Sequence, residues 1–176
     1  NNRAIIMGND YNHIVNVLRF KIGQKFYICN KENSKSYLSE IILIDDEKVI
    51  CKLISENDST ELSIDVAIFQ GIPKSDKMDL IIQKCTELGA KEFYPVEMKN
   101  CVMKLNNEEK KIDRWQKIAE ASSKQSKRNV IPKIYNKLSF QGMISEIKKY
   151  DLAIVAYENE SKINLKEVLQ ENKDAK

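Results

Sequence analysis

The hydrophobic pattern of the chain changes period near residues 58–64. Before that point, β-rich stretches at Lys25–Cys29, Tyr37–Ile44 and Lys48–Ile54 are separated by the polar turns Lys31-Glu32-Asn33-Ser34-Lys35 and Asp45-Asp46. Val49, Cys51 and Leu53 alternate with Ile50, Lys52 and Ile54, which is the period of two that a half-buried strand requires. Ahead of these strands, Asn9 or Asp10 is placed to cap a short helix through Leu18, ended by Gly23. The pattern from Lys25 to about Ile64 predicts an all-β unit.

After the boundary, short apolar runs alternate with longer stretches of helical period, the signature of an α/β unit with a parallel sheet. Val66–Gln70 reads as a strand, turned by Gly71 and Pro73. Ser75 can cap a helix whose Met78, Ile81, Ile82, Cys85 and Leu88 share one face, with Gly89 as its stop. Phe93–Val96 gives a second strand, residues 107–126 a long helix, Val130–Ile134 a third strand, Phe140–Lys149 a helix and Leu152–Ala156 a fourth strand. Leu165–Leu169 begins one more helix. The class is a two-domain α/β (α+β) chain, and with 42% hydrophobic and 31% charged residues it has the composition of a folded protein, not a disordered one.

Charge is unevenly placed. Residues 99–137 carry +7, against −3 before them and −1 after. On the long helix, at 100° per residue, Ile112, Trp115, Ala119, Ser122 and Ser126 fall on one side, while Arg114, Lys117, Lys124 and Arg128 fall within an arc of about 80° on another. Cations in such a stripe can track phosphates by releasing counterions, and arginine can clamp a phosphate with two parallel bonds. A solvated helix face would show the same composition, so charge alone leaves both readings open. Trp115 sits among apolar neighbours and reads as core, not as a platform for a base.

Other chemistry is thinly represented. Cys29, Cys51, Cys85 and Cys101 are widely spaced without a C-x-x-C pair, and the one histidine, His13, is remote in sequence, so no zinc pattern is present and the thiols read as reduced. His13 has no nucleophile arranged with it and reads as structural or as an edge contact to RNA. The turn Gly71-Ile72-Pro73-Lys74-Ser75-Asp76-Lys77 lies where open α/β sheets bind ligands, yet it has neither phosphate-loop spacing. That absence argues against a nucleotide-binding domain of other chemistry. No apolar run reaches the roughly 20 residues of a spanning helix, and the start lacks signal-peptide order, which predicts a cytoplasmic protein without a membrane partner.

Several segments together resemble the RsmE family. His13-Ile14-Val15-Asn16-Val17-Leu18-Arg19 is similar to its H-x-x-x-V-L-R signature. Lys77-Met78, Ile82-Gln83-Lys84-Cys85-Thr86-Glu87-Leu88-Gly89-Ala90 and Pro95 resemble its K-M, its I-Q-K-x-T-E-L-G and the proline that follows. Arg114-Trp115-Gln116-Lys117-Ile118-Ala119-Glu120-Ala121, Gln125-Ser126, Arg128 and Ile131-Pro132 resemble R-W-x-x-I-x-x-E-A, Q-S-x-R and I-P. The motifs stand in family order over almost the whole chain, and that order makes the resemblance specific.

The resemblance implies a PUA-like β-barrel that helps bind RNA over residues 1–62, then the first part of a SPOUT-type methyltransferase domain over residues 63–176. It implies transfer of a methyl group from S-adenosyl-L-methionine to N3 of a uridine in 16S ribosomal RNA of the small ribosomal subunit, by a homodimer. RNA would be gripped by Arg114, Lys117, Lys124 and Arg128, with Arg19 and His13 from the barrel, and Ala156, Tyr157 and Glu158 would form one wall of the cofactor pocket. Two departures follow. Asn100, before Cys101-Val102, stands where the family has arginine, and Lys99 cannot reproduce an arginine fork. The G-P-E-G-G and L-G-x-R-I-L-R-x-E-T-A segments of the C-terminal trefoil knot are not in this sequence, so no catalytic residue can be assigned and the stretch is expected to be inactive alone. A non-catalytic RNA-binding or ribosome-assembly module would keep the barrel and the basic helix without the knot.

Overall fold

A computed structural model describes residues 2–30, 33, 35–59, 61–74, 76–99 and 107–175. The turn residues Lys31, Glu32 and Ser34, the cap at Ser75 and the Asn100-Cys101-Val102 segment lie outside them. The chain divides into two compact units, Asn1–Glu61 and Leu62–Lys176.

The first unit is a half-barrel. Strand β1 (Arg3–Met7) is followed by helix α1 (Gly8–Asn12), which continues as a π-helical turn over His13–Val17; β2 (Lys25–Asn30), β3 (Lys35–Ile44) and β4 (Lys48–Asn57) complete a sheet of order β1-β4-β3-β2. All pairings are antiparallel. The β3–β4 turn is set by Asp45, whose Oδ1 accepts from the amides of Glu47 and Lys48 at 3.0 and 2.9 Å. Inward positions Ile41, Val49 and Cys51 pack with Ile14 of the π-helical turn and are ringed by Ile6, Phe26, Ile28 and Ile44. The expected Asn9 or Asp10 cap is not used: the helix begins at Gly8 directly after β1, and no side chain caps it. The turn ends with the Leu18 amide on the His13 carbonyl at 2.9 Å, followed by Arg19 and Gly23 in the left-handed region, φ +54° and +88°.

The second unit is built on a parallel sheet, β5 (Ala67–Gly71), β6 (Glu92–Glu97) and β7 (Lys133–Ile134) in that order, with β8 (Leu138–Ser139) pairing farther along β6. Parallel neighbours need crossovers, supplied by α2 (Lys77–Glu87) and α3 (Glu108–Gln125). Ile72, Met78, Ile82, Ala90, Phe93, Trp115, Ala119 and Ile134 form the core between helices and sheet, so Trp115 is core. Phe69, Tyr94 and Tyr135 stack in a column, with centroids 4.5 and 4.3 Å apart. Tyr150 meets Phe69 edge-on after α4 (Phe140–Glu146) and a 3₁₀ turn (Ile147–Lys149). Ser139 caps α4 through the Gly142 amide, and Asn164 caps α5 (Leu165–Glu171) through the Lys166 amide.

Three expectations are corrected. Leu88 does not share the buried face of α2: the helix ends at Glu87, and Leu88 at its cap is 76% exposed, while Thr86 is buried. The third strand is cut to two residues, since Pro132 has no amide to give a ladder. Residues 152–156 are not a strand. A strand is held by its neighbours, none of the described strands pairs with this segment, and Val155 is left 84% exposed.

Candidate nucleic-acid interface

Helix α3 carries the site, and its orientation is fixed by polar fasteners as well as by its buried side. Glu108 and Glu109 occupy the first turn and Lys124 the last, in keeping with the helix dipole. Trp115, Ala119, Ser122 and Ser123 face inward. The Gln116 amide acts as a strand would, donating to the Pro132 carbonyl at 2.9 Å and accepting from the Ile134 amide at 3.0 Å. Trp115 donates its indole N–H to Asp79 Oδ1 at 3.1 Å, and Arg114 binds the other oxygen of the same carboxylate. These contacts tie α3 to β7 and to the first turn of α2.

The side left outward presents Lys110, Asp113, Arg114, Lys117, Ala121 and Lys124, all exposed. From Lys110 to Lys124 the row runs about 21 Å at 1.5 Å per residue. Among the described residues, no acid pairs with Lys110 or Lys117, whereas Arg114 is held by Asp79 and lies 3.7 Å from Asp76. Lys110, Asp113, Arg114, Lys117, Ile118 and Ala121 line a shallow groove of about 510 Å³.

Arg114, Lys117 and Lys124 therefore share the face assigned to them by helical projection, and Arg128 does not. Arg128 is 7% exposed and donates to the carbonyls of Thr86, Gly89 and Ala90 at 3.1, 3.1 and 2.5 Å, closing the C-terminal end of α2. The cause is local: α3 stops at Gln125, and Lys127 enters the left-handed region at φ +58°, which turns the chain inward. Lys110, five helical turns before residue 128 and so at the same azimuth, occupies the place that Arg128 was expected to fill. The wheel itself contained that signal.

The remaining candidates are exposed. His13 opens the π-helical turn and Arg19 follows it, both on the first unit. Ala156, Tyr157 and Glu158 are all exposed, Tyr157 at 62%, so the described residues enclose nothing around them. Burial raises the thiols of Cys29, Cys51 and Cys85, Cys51 to about 11, so among the described residues none of them offers a thiolate nucleophile near neutral pH. Among the described residues, no group of acids, cysteines and histidine is placed to hold a metal, and no helix is long and apolar enough to cross a membrane.

With this geometry in place, comparison with known proteins is informative. A model of the RNA methyltransferase PUA domain matches residues 6–54, and a model of the RNA methyltransferase domain matches residues 60–176. The ribosomal RNA small subunit methyltransferase E of Bacillus subtilis is 39% identical over 160 residues, covering 89% of this chain and 62% of its own length. The protein of the same name from Mesomycoplasma hyopneumoniae is 29% identical over 158 residues, covering 89% and 67%. Among solved structures, one described as a hypothetical protein superimposes with TM-score 0.84 at 37% identity, over 90% of this chain and 66% of that one. A ribosomal RNA small subunit methyltransferase E from Neisseria gonorrhoeae, solved bound to S-adenosyl methionine, gives TM-score 0.69 at 22% identity over 81% and 58%. The chain thus spans only part of its relatives, 62% of the Bacillus subtilis protein.

Proposed function

The chain belongs to the RsmE family of RNA methyltransferases, and on that footing we propose that its protein methylates N3 of a uridine in 16S ribosomal RNA of the small subunit, gripping the RNA with the outer face of α3. The observation that carries the RNA grip is the exposed row of Lys110, Arg114, Lys117 and Lys124 on a helix pinned by Gln116, Trp115 and Arg128. A pinned helix holds its cations at fixed spacing, so less freedom is lost when phosphates bind. Arg19 and His13, exposed on the half-barrel, are secondary contacts in this reading.

N3 lies on the Watson–Crick edge, so the target must be unpaired or extruded before it can react. The donor in this reading is S-adenosyl-L-methionine, with which the Neisseria gonorrhoeae relative was solved; it supplies an electrophilic methyl on sulfur. The described residues do not by themselves build its site, because Ala156, Tyr157 and Glu158 stand open to solvent. This chain's contribution is binding and orientation of RNA. The same reading makes the working protein a cytoplasmic homodimer and residues 1–176 inactive alone.

The test has two arms. With the 176-residue chain, the Lys110→Ala/Lys117→Ala pair should weaken RNA binding and reduce the slope of log affinity against log salt by roughly 0.7 per lost contact. Nucleoside mass spectrometry of 16S RNA, from cells lacking the full gene and cells complemented with it, should show N3-methyluridine restored. A methyl group on ribose oxygen would refute the assigned product.

A further inference from the structure

The outer face of α3 has two features that a track for phosphates does not need. At 100° per residue, Ala121 lies within the arc spanned by Lys110, Arg114, Lys117 and Lys124, about 20° from Arg114 and between Lys117 and Lys124 along the axis, where a further cation would extend a purely electrostatic surface. It is exposed, and with the half-buried Ile118 it is one of two apolar residues in the groove lining. The second feature is Asp113, an exposed carboxylate in the lining of a basic groove. Among the described residues, Asp113 forms no ion pair with Lys110, Lys117 or Arg114. Its negative charge would repel a phosphate passing there. A carboxylate can only accept hydrogen bonds, so its natural partner in RNA is an N–H on a base edge.

We propose that the α3 groove seats one unpaired nucleotide, with its base over Ile118 and Ala121, its flanking phosphates on Lys110, Lys117 and Arg114, and an N–H-rich base edge on Asp113. Guanine fits best, because its two adjacent N–H groups match the two carboxylate oxygens. In a paired base those N–H groups are engaged and the face is stacked, so the groove selects single-stranded RNA or a loop over duplex. This inference depends on the reading of α3 as an RNA surface, and adds what part of the RNA it takes.

Ala121→Lys makes the test sharp. Lysine keeps nearly the helix propensity of alanine and adds a cation, so an electrostatic track predicts tighter binding and a steeper salt slope, while a nucleotide seat predicts at least tenfold weaker binding. The measurement is fluorescence anisotropy of the whole chain with a short labelled single strand carrying one guanine, the same strand with uracil in its place, and a duplex of equal length. Trp115 emission reports that each variant is folded. The expected results are preference for the single strand, loss on Ala121→Lys, and loss of the guanine-over-uracil ratio on Asp113→Asn. Tighter binding by Ala121→Lys, an unchanged ratio in Asp113→Asn, or equal affinity for duplex overturns the seat. Unchanged affinity and salt slope in Lys110→Ala/Lys117→Ala would instead overturn the RNA reading beneath it.

Discussion

Arginine 128 separates the structural account of α3 from the one that helical projection gives. Its guanidinium reaches three carbonyls at the end of α2, of which that of Thr86 also accepts the Gly89 amide at 3.1 Å. In Arg128→Ala, the carbonyls of Gly89 and Ala90 therefore lose their charged donor inside the unit. Unsatisfied buried acceptors cost about 1–3 kcal/mol each, so the loss is about 4 kcal/mol. Trp115 is the single tryptophan of the chain and lies in the core of the second unit, so its emission follows that unit alone. For a urea slope of about 2 kcal/mol/M, the midpoint should fall by about 2 M. Arg128→Lys should fall between, since an ammonium keeps the charge but not the fork. If Arg128→Ala shifted stability by less than about 0.5 kcal/mol and weakened RNA binding instead, the side chain would face RNA and the buried placement would be refuted.

Two further outcomes follow from the second unit. Burial, with the neighbouring Glu92 carboxylate, raises Tyr150 from 10.0 to about 12 and lifts Tyr135 above its ordinary range, and burial also raises Tyr94. Because the folded forms hold their protons longer, the stability they contribute is complete below pH 10 and is lost as the pH rises through 12. Urea midpoints read by Trp115 should therefore fall steadily above pH 10 and fall less in Tyr150→Phe; a flat wild-type profile would contradict the buried cluster. Gly89→Ala should destabilise by about 1–3 kcal/mol, because φ is +113° and an added Cβ would lie 2.5 Å from Leu62 Cδ1. Wild-type melting in that variant would show that the turn is not held as described.

How far the fold could be read in advance depended on whether its determinants were local. The starts of β2 and β4 and the end of β3 at Ile44 follow from alternation and turn chemistry within a few residues, and the span of α3 follows from its apolar period. Strand β1 was missed because its residues alternate with Ile5 and Met7 outward, at 62% and 64% exposure, and it is defined by pairing with β4, with Arg3 opposite Lys52. Residues 152–156 show the converse. Their apolar, β-branched composition is that of a buried strand, but composition alone supplies no neighbour, and Ile154 and Val155 remain exposed.

The same distinction explains the site. Lys117 and Lys124 were legible because a straight helix maps sequence onto azimuth, and the map holds as far as Gln125. Helical projection placed Arg128 on the outer face, yet it and Gln116 bond main-chain groups 16 to 42 residues away, which no local pattern encodes. These bonds have a functional consequence. Long polar side chains that would otherwise be solvated are spent on backbone carbonyls, so the helix cannot roll or slide on α2 and β7 without orphaning them. The row from Lys110 to Lys124 is thereby presented at one azimuth before RNA arrives. Binding then has only the lysine side chains left to order, at about 0.5–1.5 kcal/mol for each one immobilised. A helix held by apolar packing alone would leave its roll and slide to be lost as well.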